Sequence, residues 1–200
     1  MYQPGFAVYI TLGLMSNISD METPKTRIAT AQATLGLAIR LHSDVIAGRI
    51  RDTIYQREVV IITGGPGLLL PPDYRATELD LHNGTQNLVV MALGASALTL
   101  DETLDGTFGK PDYDAEPKRR GLRIMVNQLR NAFAHNPWRA RWVIRPKFQK
   151  VHSVSLGGQA PFEFDATRLD GEGVKPEDVG GFEYWIKVLQ YCESIVPDEA

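Results

Sequence analysis

The chain has 200 residues, 44% of them hydrophobic and 22% charged, and a formal net charge of −3. That is globular composition, long enough for one well-buried core. A single cysteine, Cys192, excludes an internal disulfide framework, and no C-x2-C or H-E-x2-H spacing supplies metal ligands, so no metal or cofactor is expected and the cytoplasm is the expected compartment.

Residues 1–22 contain an apolar run, Phe6 to Met15, with no basic residue before it and too short to span a bilayer. It reads as an arm or strand packed on the body, and no membrane association is expected. Thr23-Pro24 is an N-cap and first-turn proline opening a long Ala-, Leu- and Ile-rich helix that the spacing carries to about Gln56. Val59 to Asp73, broken by Gly64-Gly65-Pro66-Gly67 and Pro71-Pro72, reads as a linker or crossover loop, and without a following G-K-[ST] its glycines are no phosphate loop. A second long helix is predicted from Leu79 to about Leu104, with Asp101, Glu102 and Asp105 expected as solvated loop acids.

A third helix is predicted from about Lys118 to His135. After Pro137 the period changes: Trp138 to Ile144, Lys150 to Leu156 and a short run from Phe162 alternate as strands, giving a small antiparallel meander. Gly180-Gly181 opens a last amphipathic helix, Phe182 to Ile195. The expected fold is mainly α, a bundle of about four helices with a β-meander before the last. One domain is expected, with an N-terminal arm (1–22), a helical core (23–136), the meander (138–178) and a C-terminal helix (180–196).

The third helix carries the chemistry. Arg123, Asn127, Arg130, Asn131 and His135 fall within roughly 140° of the helical wheel, and Asn127, Asn131 and His135 step by four along one line. The opposite arc collects Leu122, Met125, Val126, Leu129, Ala132 and Phe133, with Ile124 the one apolar exception on the polar side. Pro137 ends the helix near His135, where the dipole favours an imidazolium. An arginine able to hold phosphorane charge, an amide beside it and a histidine able to move a proton make a minimal metal-free apparatus for cutting RNA. Against that stands a plainer possibility, that His135 only caps the helix. His42, His82 and His152 have no such neighbours and are expected to be structural or surface residues.

Charge is one-sided around this helix. Lys118 to Lys150 holds ten basic residues and no acid, +10 locally, which leaves −13 for the rest of a chain whose total is −3. That is the pattern of a nucleic-acid footprint, with Arg123, Asn127, Arg139, Arg141 and Arg145 as expected RNA contacts. The alternative is that these cations pair with acids elsewhere in the fold. Phe133, Trp138, Trp142 and Phe148 interleave with the cluster and are available either for base stacking or for the core.

Arg130-Asn131-x3-His135, late in a helical chain and before a proline, resembles the HEPN superfamily, in which R-[polar]-x(3 to 5)-H ends a bundle helix. The strand region with Phe164-Asp165 and Leu169-Asp170-Gly171, followed by Gly180-Gly181, is similar to an uncharacterised plasmid-type bacterial branch. The resemblance covers about Thr23 to Ile195, and only the motif in it is specific. It implies a metal-independent endoribonuclease with Arg130, Asn131 and His135 as catalytic residues, toxin or defence roles, a homodimer joined through the motif helix, and an antitoxin protein as a further partner. Other members bind RNA or nucleotides without cutting, and a structural helical interaction protein is the third alternative.

Overall fold

The computed structural model describes residues 23–50 and 77–198 except Gln159, together with three short strands at 10–11, 60–62 and 68–69. The described chain is mainly helical, with four α-helices: α1 (Pro24–Ile46), α2 (Glu78–Phe108), α3 (Pro117–His135) and α4 (Gly181–Ile195). The strands are β1 (Ile10–Thr11), β2 (Val60–Ile62), β3 (Leu68–Leu69), β4 (Val151–Val154) and β5 (Phe162–Asp165). The arm expected over 1–22 and the Gly64 to Gly67 loop otherwise lie outside the described residues.

The chain divides into two compact units, 1–22 with 39–86, and 23–38 with 87–200. In the first unit β2 pairs parallel to β1 (Ile10 opposite Ile61) and antiparallel to β3 (Ile61 opposite Leu68). This sheet was not expected from the sequence, which reads the β2–β3 region as a loop. Helix α1 ends at Ile46, ten residues before the predicted end. Gly48 takes φ 66° there, and Arg49 folds back to an ion pair with Asp44 at 2.6 Å, closing the helix.

The second unit is built around α3, which lies against β4. Leu122, Met125, Val126 and Leu129 are fully buried, and Ala132 and Phe133 nearly so, as the apolar stripe requires. Ile124, placed by the wheel on the polar side, is buried as well. Gly121 allows the close approach to β4: a Cβ there would sit 1.9 Å from the Ser153 carbonyl oxygen. From α4, buried Trp185 donates its indole N–H to Ser96 Oγ of α2 at 2.8 Å.

Ahead of α4 the sheet has two strands, β4 antiparallel to β5 with His152 opposite Phe164. Of the predicted first strand, 138–144, residues 138–139 belong to the turn after Pro137, and the remainder forms no ladder and makes a single isolated bridge, Arg141 to Gly173. Trp142 N–H donates to the Glu172 carbonyl and Ile144 N–H to Asp170 Oδ1, both at 2.9 Å. Its partner is thus a glycine-bearing turn, which offers no ladder to extend, and Pro137 and Pro146 bracket the segment without N–H donors.

Candidate functional site

Both ends of α3 are set locally. Glu116 caps the start by accepting from Lys118 N–H at 3.2 Å, with Pro117 in the first turn. At the other end Asn136 Oδ1 accepts from the N–H groups of Trp138 and Arg139, both at 3.1 Å, turning the chain away so that His135 is the last helical residue.

Along the polar face the side chains form a directed network whose anchor is Asp101 of α2. Asn127 Nδ2 donates to both Asp101 oxygens at 3.0 and 3.2 Å. A carboxylate only accepts, so the Asn127 carbonyl must point the other way. It accepts there from Gln128 Nε2 at 3.1 Å and Asn131 Nδ2 at 3.2 Å. That leaves Asn131 Oδ1 to accept from Arg130 Nη1 at 3.1 Å. Arg130 also lies 3.7 Å from Asp101 through Nε, and its side chain is 38% exposed. Burial pushes the Asp101 carboxyl above its ordinary range, against the pull of Asn127 and Arg130.

Asn131 thereby holds the Arg130 guanidinium, whereas the sequence reading has its amide orienting the phosphate or the imidazole. His135 sits one turn beyond Asn131, exposed, and its side chain has no hydrogen bond or ion pair among the described residues. Its ring is free to meet a ligand or another chain. The structure thus brings Arg130, Asn131 and Asn127 into contact and leaves His135 on the same helix line, open to solvent.

Several expected RNA contacts are placed otherwise. Arg123 is 1% exposed and holds three partners: Asp114 at 3.1 Å, Asp105 at 2.8 Å and the Gly109 carbonyl. It is a structural hub and not an RNA ligand, because the wheel put it on the motif side but packing closed that side over its first turns. Asn127 is committed to the amide network. Arg141 donates to the Gly171 carbonyl at 2.8 Å, whereas Arg139 and Arg145 are exposed and their side chains have no partner among the described residues.

Acids from outside the basic stretch neutralise much of it. Arg119 grips Asp114 in a fork of two 2.8 Å bonds, and Lys147 pairs with Asp112. Burial alone would raise the Asp114 carboxyl, but Arg119, the Glu116 N–H and Arg123 hold it down at about 2. Asp101 and Asp105, expected as solvated loop acids, instead lie within α2, which runs on to Phe108 before Gly109 turns the chain at φ 74°. Of the interleaved aromatics, Trp142, Phe133 and Phe148 are buried and Trp138 is 58% exposed.

The other polar groups lead elsewhere. His152 is buried and donates to the Phe148 carbonyl at 2.9 Å, and His42 bonds Thr85 at 2.9 Å with its ring 5.3 Å from that of His82. Burial and then His82 lower His42. Burial pushes the Cys192 thiol up to about 12, too high for a thiolate nucleophile near neutral pH. Helix α2 is long and apolar enough to cross a membrane by length and composition, with 56% of that window buried within the protein.

The chain matches no family model, no curated protein and no solved structure.

Proposed function

We propose that this protein is a HEPN-like, metal-independent endoribonuclease. The observation that carries the reading is the oriented pair at the end of α3: Asn131 holds the Arg130 guanidinium at 3.1 Å while exposed His135 stands one helical turn away. In the reaction a ribose 2′-OH attacks the adjacent phosphorus as the P–O5′ bond breaks. The products are a 2′,3′-cyclic phosphate and a 5′-hydroxyl. One histidine takes the 2′-OH proton and another returns a proton to the departing 5′-oxygen, while Arg130 balances the charge of the pentacoordinate phosphorus. RNA is cut and DNA is not, since DNA lacks the nucleophile.

One chain offers one histidine at the motif. A symmetric dimer through α3 supplies the second, and two-fold pairing is the commonest oligomeric arrangement. The expected protein is a cytoplasmic homodimer acting as a toxin or defence nuclease, with an antitoxin protein as a further partner. Incubation of the purified protein with mixed RNA in EDTA, followed by end-group analysis, tests this. Cyclic-phosphate and 5′-hydroxyl ends support it, and intact RNA refutes it.

A second reading has its own observation. Asp101 lies 3.7 Å from Arg130 and offsets part of the charge that a phosphorane needs. That favours a protein that binds RNA or nucleotides without cutting, recognised by RNA binding with no cleavage in the same experiment.

A further inference from the structure

Beside the motif an open groove of about 290 Å³ runs between α3, the 3₁₀ turn Pro111–Tyr113 and the 3₁₀ turn Pro146–Phe148. Asn131, which holds Arg130, is part of its wall, so the groove adjoins the motif. Its volume is at the lower edge of small-ligand sites, about 300–1,000 Å³, room for one nucleotide and not for a helix.

Three wall residues are unspent. Tyr113 presents its ring to solvent at 84% exposure. Arg145 is exposed, and its side chain has no partner among the described residues, whereas Lys147 beside it is neutralised by Asp112. The third is Gln128, 1% exposed, whose Oε1 has no hydrogen-bond partner among the described residues. The anchor at Asp101 decides this orientation, because Gln128 Nε2 must face the Asn127 carbonyl and Oε1 is left over. A buried carbonyl without a donor is unfavourable until a donor reaches it. Among the described residues the groove therefore offers a stacking surface, one free cation and one unmet acceptor.

We infer that this groove seats a single unpaired nucleotide of the RNA, next to the scissile phosphate, with Tyr113 stacked on the base, Gln128 Oε1 accepting a base N–H and Arg145 on the neighbouring phosphate. This rests on the RNA reading above and adds what form of RNA the site takes. In a duplex the base faces and N–H edges are already occupied, so the groove selects single-stranded segments.

The test uses a fluorescein-labelled mixed-sequence 2′-O-methyl octamer, which cannot be cleaved, as a single strand and as a duplex, with binding read by anisotropy. Both Tyr113 and Arg145 are exposed, so their variants keep the fold. Tyr113→Ala is expected to weaken single-strand binding about tenfold without changing its salt dependence, and Tyr113→Phe to restore it. Arg145→Ala is expected to flatten the salt slope by about 0.7, one phosphate contact. Equal affinity for the duplex, or wild-type affinity in Tyr113→Ala, overturns the groove assignment and leaves the RNA reading standing. No binding by the wild-type protein overturns both.

Discussion

Asp114 makes the structural use of the basic stretch measurable. Its carboxylate is buried and holds Arg119, the Glu116 N–H and Arg123, and against the upward push of burial those bonds together bring it from 3.8 to about 2. At 1.36 kcal/mol per unit, that depression corresponds to about 2 kcal/mol of folding stability. The sign follows from the direction: a depressed carboxylate stabilises fully above its unfolded value near 4, and the contribution is lost as pH falls through about 2. Asp114→Asn removes the charge and leaves two arginines facing an amide, a broken buried pair that costs at least about 3 kcal/mol at neutral pH. Urea unfolding of both proteins at pH 7, 4, 3 and 2 should show the wild type losing about 2 kcal/mol more than the variant between pH 4 and 2. Asp44, Asp80, Asp165 and Glu183 are also depressed by their own hydrogen bonds but are common to both proteins, so the difference isolates Asp114. Parallel stability curves would refute the hub, and with it the assignment of Arg119 and Arg123 to structure and not to RNA.

His135→Ala and Arg130→Ala should each reduce RNA cleavage by about 10² to 10⁴ with unchanged helical circular dichroism, since neither side chain is in the core; activity retained in purified His135→Ala protein removes the catalytic assignment. Alanine at Arg139, Arg141 and Arg145 together should flatten the salt dependence of RNA binding by up to about 2, at 0.7 for each phosphate contact, and an unchanged slope would mean that these cations serve the fold. Gly121→Ala should destabilise by about 1–3 kcal/mol or more, because the new methyl lies 1.9 Å from the Ser153 carbonyl and α3 must shift from β4; an unchanged melting temperature contradicts that packing. Light scattering should give a dimer at micromolar concentration, and a monomer there would leave each site without its second histidine.

What the sequence determined by itself is what depends on neighbours along the chain. Pro117 and Asn136-Pro137 bound α3, the 3.6-residue period sets its buried stripe, and the same period aligns Asn127, Asn131 and His135. The helix of residues 181–195 and the two strands before it were legible in the same way. What only the tertiary structure decided is which groups remain free. Asp101, Asp105, Asp112 and Asp114 all precede the acid-free stretch from Lys118 to Lys150, and folding brings them against it. A charge count along the chain cannot show that pairing, since ion pairs depend on distance through space. The same reason hid the parallel pairing of Ile10 with Ile61, the burial of Ile124 and Arg123, and the pairing of 138–144 with a turn instead of a strand. It also hid the groove, whose walls come from three separate parts of the chain and whose unmet acceptor exists only because Asp101 of α2 orients the amides of α3.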